Sequence, residues 1–241
     1  MKPIDFRLGR YQDVMQDVTC DALICDPPYS ERTHGSYREM ASVNRRAISY
    51  PAWSTDDVIE FVRFWDGRTN GWIVALTDHV LIPAWQHAFS EVGRYSFAPL
   101  ACVEPGSRVR ISGDGPSQWY VFAMVARPTT REAQRWGALR GAYVLPYELT
   151  RRGAGEGNGI MGGKPVALMR ELVKDYSRPG DLVCDPCAGG ATSLIAAALE
   201  GRRAIGCEID PDTFEKANRR ILHGNHAARN PEQGVLFGGD E

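Results

Sequence analysis

The strongest constraint on the fold is a pattern near the carboxyl end of the chain. An apolar run, 182–184, leads into a glycine-rich turn around Gly189 and a helix that we predict to begin at Thr192. A second apolar run, 203–207, then ends at Glu208. The succession of strand, turn, helix and strand is typical of parallel α/β sheets, which bind ligands at the carboxyl ends of their strands. The sequence therefore predicts an α/β fold with a ligand site at that edge.

The glycine-rich turn has the features of a nucleotide site. Gly189 and Gly190 allow the backbone to approach a ligand closely, and the helix after them offers free N–H groups to a carboxylate. Glu208 follows the glycines by about 20 residues, where an acid can bind the two hydroxyls of an adenosine ribose. Because G-x-G-x-x-G is absent, we do not expect a dinucleotide dehydrogenase. Taken alone, a Gly-Gly turn is as often purely structural.

A second motif, Asp-Pro-Pro-Tyr, follows the apolar run 22–25. An exocyclic amine on a nucleobase is a poor nucleophile because its lone pair is delocalised into the ring. The Asp26 carboxylate and the Pro27 carbonyl can each accept one amino hydrogen bond, which turns the lone pair towards a methyl donor. Pro28 stiffens the turn, and Tyr29 offers a flat face to a base drawn out of its stack. The motif indicates methyl transfer to an amino group; the alternative is a Pro-Pro turn with a capping Asp.

Together the two motifs resemble the DNA amino-methyltransferases that use S-adenosylmethionine, in the permuted (beta) order with the catalytic motif first. The resemblance covers residues 6–29 and 164–223, which include a helix led by Lys-Pro and a Pro-Gly-Asp turn. It implies a three-layer α/β sandwich around a mostly parallel, seven-stranded sheet with an antiparallel hairpin at one edge. An Asp at the head of the catalytic motif, rather than Ser, favours adenine over cytosine.

The resemblance also implies the site residues. The catalytic set would be Asp26, Pro27, Pro28 and Tyr29. The cofactor-binding set would be Gly9, Asp26, Lys164, Pro165, Asp185, Pro186, Cys187, Ala188, Gly189, Gly190, Thr192, Glu208, Ile209 and Asp210. The chain departs from the family pattern at Cys187 and Ala191, where Phe and Gly are usual, and at Arg10, which replaces an acid often placed near the adenine.

The net charge of −2 does not by itself indicate a DNA-binding protein, but arginines are unevenly distributed. They concentrate in the loop after the catalytic motif and between Arg108 and Arg152, and the alternative is a solvated surface. The candidate DNA-recognition segments are 30–50 and 128–163. The candidate DNA ligands are Arg32, His34, Arg38, Arg45, Arg46, Arg131, Arg135 and Arg140. Because both segments are short, we expect a short or relaxed target sequence, or specificity shared across a homodimer.

Local patterns predict the remaining elements of a single domain over 1–223. Helices are predicted at 56–65, 83–92, 165–176, 192–200 and 211–223, and a strand at 72–76. Strands at 108–112 and 119–126, flanking Gly113-Asp114-Gly115, predict a hairpin. We predict that residues 224–241 are a flexible tail in which Gln233, Leu236 and Phe237 resemble a sliding-clamp peptide; the alternative is a tail that folds back on its own core.

Composition and cysteine placement bound the class of protein. Hydrophobic residues make up 43% of 241, enough for one sizeable core. Cys184-x-x-Cys187 lacks a second pair or a nearby His, so we expect reduced packing cysteines and no metal. No apolar run reaches transmembrane length and the Met1-Lys2-Pro3 start lacks a signal-peptide core, so we expect no membrane partner and a cytoplasmic location in a bacterial or phage-infected cell.

The predicted function is therefore transfer of a methyl group from S-adenosylmethionine to the 6-amino nitrogen of adenine in double-stranded DNA, with base flipping. The enzyme would be an orphan methylase or part of a restriction–modification system. Two alternatives stay open. One is the same chemistry on the cytosine 4-amino group or on RNA. The other is a catalytically weak protein that binds DNA or the clamp on a methyltransferase scaffold.

Overall fold

The computed structural model describes residues 4–33, 50–106, 116, 118–131, 133–146 and 163–222. Nine strands in these residues form one sheet: β1 (Ile4–Leu8), β2 (Ala22–Cys25), β3 (Ile73–Thr77), β4 (Tyr95–Ser96), β5 (Leu100–Val103), β6 (Tyr120–Arg127), β7 (Ala142–Val144), β8 (Leu182–Asp185) and β9 (Arg203–Glu208). The helices are α1 (Tyr11–Val14), α2 (Thr55–Asp66), α3 (Ile82–Glu91), α4 (Val166–Tyr176), α5 (Thr192–Leu199) and α6 (Pro211–Leu222), with a 3-10 turn at Ala133–Arg135.

The sheet is mostly parallel, with the order β1-β9-β8-β2-β3-β6-β5-β7. Strand β6 runs antiparallel to β3, β5 and β4, and every other pairing between the named strands is parallel. The expected class, an α/β sandwich with an antiparallel region near one end, is confirmed. The described strands number nine instead of the expected seven, because the short strands β4 and β7 are added beside β6 and β5.

Two hydrophobic clusters give the fold its three layers. One contains Leu168 of α4 and Leu194 of α5, and the other contains Phe61 of α2 and Trp85 of α3. The central strands β2 and β3 are buried along their whole length, as expected for parallel strands covered on both faces. Apolar runs, rather than alternating patterns, therefore identified these strands correctly in the sequence.

The local signals place most helix ends within one residue of their predicted positions. Helix α2 begins after Ser54, whose hydroxyl accepts a hydrogen bond from the Asp57 backbone N–H at 3.3 Å while Asp57 accepts from the Ser54 N–H at 2.8 Å. This reciprocal capping box satisfies two N–H groups that the helix leaves without partners. The predicted strand 108–112 lies outside the described residues, and within them β6 pairs with β5 instead.

The pairing of β2 with β8 places the two sequence motifs together. The strands are parallel neighbours, with Leu23 opposite Cys184. The carboxyl ends of both strands therefore lie side by side, on what we call the catalytic edge of the sheet. Asp26 directly follows β2 there, and Asp185 is the last residue of β8. Gly206 of β9 lies opposite Asp185 on the other side of β8.

Gly206 allows β9 to pack closely at this edge, and its replacement gives a direct test of that packing. A Cβ atom there would stand 2.6 Å from the Asp185 carbonyl oxygen and 3.0 Å from Leu194. We expect Gly206→Ala to lower the free energy of unfolding by about 1–3 kcal/mol, the usual cost of overpacking. Gly67→Ala is the control, since nothing lies within 4 Å of a Cβ at Gly67. Urea denaturation that shows equal stability for both variants would contradict this packing.

Candidate active site

The catalytic turn is organised around the Asp26 carboxylate. Tyr29 donates its phenolic hydrogen to Asp26 Oδ1 at 2.8 Å, and Lys164 Nζ donates to Asp26 Oδ2 at 2.6 Å. The Lys164 ammonium also lies 4.9 Å from the centre of the Tyr29 ring, a cation–π distance. The side chains of Asp26 and Lys164 are 23% and 12% exposed, so this ion pair is only partly screened by water. Asp26 is thus held in one orientation with an accessible edge.

Asp78, at the carboxyl end of β3, anchors the residues that follow the catalytic turn. Its Oδ2 accepts from the Ser30 N–H at 3.0 Å, the Ser30 hydroxyl at 2.5 Å and the Thr33 hydroxyl at 2.5 Å. Its Oδ1 accepts from the N–H groups of Val80 and Leu81 at the start of α3. Burial acts to raise the pKa of Asp78, but these hydrogen bonds outweigh it and lower the pKa. A buried, ionised Asp78 therefore ties the catalytic turn to the sheet.

The second half of the site is the turn after β8. Asp185 is 2% exposed, accepts from the Ser193 hydroxyl, and accepts from the Cys187 N–H at 3.0 Å. Burial raises its pKa to about 7, and the neighbouring charges of Asp26 and Glu208 act in the same direction. Burial and the neighbouring carboxylates therefore disfavour the ionised form of Asp185. A positively charged ligand at this turn would stabilise that ionised form.

Glu208, at the end of β9, forms the far side of this turn. Its carboxylate accepts from the Asp210 N–H at 2.8 Å, and burial is the main cause of its raised pKa. The Glu208 carbonyl accepts from the Gly9 N–H at 2.9 Å, which brings the chain after β1 to the same place. Gly9 has a φ of +140°, a backbone conformation that requires glycine.

Two features of the glycine-rich turn were not predicted from the sequence: the backbone conformation of Ala191 and the contact with Arg220. Ala191, where the resemblance leads one to expect Gly, adopts the left-handed conformation with a φ of 59°. Arg220 of α6 is buried beneath the turn and donates to the Gly190 carbonyl at 2.7 Å. Sequence analysis did not select Arg220, although its position beside the apolar face of an amphipathic helix was a signal.

The structure brings the predicted catalytic and cofactor residues to one edge of the sheet. Lys164, a member of the predicted cofactor set, pairs with Asp26, another member, across 138 residues of sequence. Pro165 precedes α4 beside it, and Ile209 is exposed between Glu208 and Asp210. The remaining members of the predicted cofactor set, Pro186, Cys187, Ala188, Gly189, Gly190 and Thr192, form the turn and the start of α5.

The candidate DNA ligands are not brought together in the same way. Arg32 is exposed three residues after Tyr29, near the catalytic edge, and Arg131 and Arg135 are exposed in the segment before β7. Arg140 forms ion pairs with Glu171 and Asp175 near the end of α4. His34, Arg38, Arg45 and Arg46 lie outside the described residues, as do residues 132 and 147–162 of the second segment and the tail with Gln233, Leu236 and Phe237.

The Arg140 end of α4 lies at the opposite edge of the sheet from Asp26. Trp136 donates its indole N–H to the Asp175 carbonyl at 2.6 Å, and its ring contacts Trp72 at 5.8 Å. Trp72 directly precedes β3, whereas Asp26 directly follows the parallel strand β2. The geometry therefore gives no support to a role for Arg140 beside a flipped base.

The six cysteines are free thiols distributed over both halves of the sheet. Cys20, Cys25, Cys102, Cys184 and Cys207 are buried, Cys187 is partly exposed, and all six are free. Burial raises the pKa of Cys207 to about 12, which disfavours the thiolate. Within the described ranges, no group of three or more His, Cys, Asp or Glu side chains could hold a metal ion. The helices of the described part of the chain include none long and apolar enough to cross a membrane.

Comparison with known sequences points to one family. Residues 143–219 match the N6_N4_Mtase family, described as DNA methylase. DNA adenine methyltransferase YhdJ of Escherichia coli is 38% identical over 63 residues, which are 26% of this chain and 21% of YhdJ. The chain thus matches about a fifth of the length of that relative.

Comparison of folds extends the likeness to nearly the whole chain. The crystal structure of the M1.HpyAVI–SAM complex has a TM-score of 0.64 at 18% identity, over 91% of this chain and 98% of that one. The cytosine-N4-specific PvuII DNA methyltransferase has a TM-score of 0.55 at 12% identity, over 92% and 95%. At these identities the likeness establishes the fold alone. The sequence likeness to the N6_N4_Mtase family of DNA methylases covers residues 143–219, and the likeness in fold covers 91% of the chain.

Proposed function

We propose that the protein is a DNA methyltransferase that transfers a methyl group from S-adenosylmethionine to the 6-amino nitrogen of adenine. One observation carries the proposal: Asp26 directly follows β2, Asp185 ends the neighbouring parallel strand β8, and both lie at the carboxyl ends of these strands. A group that accepts hydrogen bonds from an amine and a turn suited to an adenosine-containing cofactor therefore face the same space. The family match and the SAM complex of M1.HpyAVI support the choice of cofactor.

The residues of the second turn fit S-adenosylmethionine. Glu208 is a buried carboxylate at a strand end, suited to the ribose hydroxyls. The first N–H groups of α5 have no partners within the helix and suit the carboxylate of the amino-acid end. Asp185 and Asp26 provide the negative charge that a sulfonium and an ammonium group require. The bound cofactor supplies an electrophilic methyl group on a positively charged sulphur.

Asp26 would bind and orient the target amine. Each carboxylate oxygen has two lone pairs, so Oδ1 or Oδ2 can accept a further hydrogen bond beside those of Tyr29 and Lys164. With the Pro27 carbonyl as second acceptor, the amine lone pair would be turned towards the methyl group. Lys164 limits the motion of Asp26, which keeps this acceptor geometry in place before a base arrives.

Because the catalytic motif begins with Asp and not with Ser, adenine is the preferred target base and cytosine is the second candidate. The acceptor pair can hold the exocyclic amine of either base, and the similar fold of the cytosine-N4-specific PvuII enzyme favours keeping both. Double-stranded DNA as substrate and a cytoplasmic location belong to the same proposal. The homodimer and the clamp contact through the tail stay predictions.

Nucleoside analysis after incubation of unmethylated DNA with the protein and S-adenosylmethionine tests the proposal. We expect N6-methyladenine from the unmodified protein and none from Asp26→Ala, because that variant lacks the acceptor for the amine. Asp56→Ala, an exposed position in the first turn of α2, is the control and should retain activity. Mass spectrometry of the digested DNA distinguishes the products.

Each result has a defined meaning. N4-methylcytosine in place of N6-methyladenine would retain the mechanism and refute the adenine assignment. Absence of any methylated nucleoside from DNA and RNA, with a folded protein, would favour a binding protein on this scaffold. Equal activity of Asp26→Ala and the unmodified protein would refute the catalytic role of Asp26.

Replacement of Asp78 tests whether it positions the catalytic turn. Asp78→Asn substitutes an amide for a carboxylate that accepts five hydrogen bonds, so some donors lose their acceptor. We expect kcat to fall by about ten- to hundredfold while the Kd for S-adenosylmethionine changes little. Asp212→Asn, the same change at an exposed position of α6, should retain kcat. A loss confined to cofactor affinity would contradict this role.

The raised pKa of Asp185 predicts a pH-dependent stability. Below the ordinary carboxyl value of 3.8, Asp185 is protonated in both the folded and the unfolded chain. Between that value and about 7, the unfolded chain ionises first, so stability is lost as pH rises. Asp185→Asn does not titrate, and we expect its stability relative to the unmodified protein to increase from pH 4 to pH 7 by a few kcal/mol, on the order of 1.4 per pKa unit.

Chemical denaturation of the ligand-free protein at several pH values measures this difference directly. Glu208 also has a raised pKa, but it is present in both proteins, so the part of its contribution that does not depend on the charge of Asp185 cancels. A difference between the two proteins that decreases as pH rises would show that the Asp185 pKa is not raised.

A further inference from the structure

A buried arginine supports the cofactor turn from the side of α6. Arg220 is 5% exposed, and its Nη1 donates to the Gly190 carbonyl at 2.7 Å and to the Thr192 hydroxyl oxygen at 3.0 Å. Arginine is almost never fully buried unless it is paired. Its neighbour Arg219 is exposed and lies 3.7 Å from Glu215 on the same helix. The two arginines therefore have different environments one residue apart.

The contact between Arg220 and Thr192 sets the direction of a hydrogen bond. A guanidinium group has donors and no acceptor, so the Thr192 oxygen must accept from it. The hydroxyl proton of Thr192 is therefore directed away from Arg220. Thr192 is the first residue of α5, where the helix also presents N–H groups without helical partners. With its hydroxyl oriented as a donor, this end of α5 favours an acceptor with negative charge.

The Gly190 contact acts on the backbone of the same turn. Gly190 lies between Gly189 and Ala191, which both have left-handed φ values, of 49° and 59°. Such a conformation is costly for Ala191 and persists only where the surroundings hold it. A charge-assisted hydrogen bond to the intervening carbonyl supplies a restraint of the required kind.

We propose that Arg220 is a positioning residue for the cofactor: it orients the Thr192 hydroxyl and the Gly190 carbonyl so that the turn binds the carboxylate end of the cofactor. This role rests on the proposed function. Arg220 itself does not touch the cofactor and acts through Thr192. Its removal therefore weakens binding of ligands that carry the amino-acid end and leaves binding of the adenosine part nearly unchanged.

Calorimetry with two ligands tests this role. S-Adenosylhomocysteine carries the amino-acid end, and 5′-methylthioadenosine lacks it. We expect Arg220→Met to weaken binding of S-adenosylhomocysteine about tenfold and that of methylthioadenosine less than about twofold. Arg219→Met, which removes a charge from the exposed face of the same helix, should bind both as the unmodified protein does.

Variants of Thr192 provide a second test, which remains valid if Arg220→Met does not fold. We expect Thr192→Val to show the same ligand-selective loss and Thr192→Ser, which retains the hydroxyl, to bind normally. The double variant Arg220→Met/Thr192→Val should lose less than the sum of the two single losses, since both substitutions remove the Arg220–Thr192 hydrogen bond.

The outcomes separate this inference from the proposed function. If the unmodified protein binds neither ligand, the proposed function is refuted and the inference with it. If it binds both, equal losses for the two ligands in Arg220→Met, or normal binding of S-adenosylhomocysteine by Thr192→Val, would refute the positioning role alone. A loss in Arg219→Met as large as that in Arg220→Met would also refute it.

Discussion

The parallel pairing of β2 with β8 is the interaction on which the rest of the site depends. It sets Leu23 opposite Cys184 and so brings the residues after both strands to one edge. Without it, the Asp-Pro-Pro-Tyr turn and the glycine-rich turn would be two unrelated features more than 150 residues apart in the sequence. If another strand lay between β2 and β8, the two turns would be about 5 Å further apart, since this is the spacing of neighbouring strands.

The second constraint on the site is its negative charge, because burial and hydrogen bonding affect each acidic side chain differently. Asp26, Asp78, Asp185 and Glu208 stand at strand ends, but their partners differ. Asp78 is stabilised as an anion by five hydrogen bonds, whereas burial opposes the ionised form of Asp185. Lys164 balances Asp26 directly. The structural acid is therefore fully satisfied, and the unbalanced acids face the space that a positively charged cofactor would enter.

The sequence predicted the local parts of this arrangement and few of the long-range contacts. Both motifs, the α/β class and the helix bounds follow from short patterns, because caps and apolar runs act within a few residues. The contacts of Lys164 with Asp26, of Asp78 with Ser30 and of Arg220 with Gly190 join residues 138, 48 and 30 positions apart. Side-chain partners at such separations are set by the packed sheet, so no local pattern identified them.

The most direct test of a shared site is a crystal structure of the protein with S-adenosylhomocysteine. We expect the ribose at Glu208, the amino-acid end at the start of α5, and the sulphur facing the space beside the Asp26 carboxylate. A ligand bound at this turn with its sulphur directed away from Asp26, or bound at another edge of the sheet, would contradict the claim that the two turns form one methyl-transfer site.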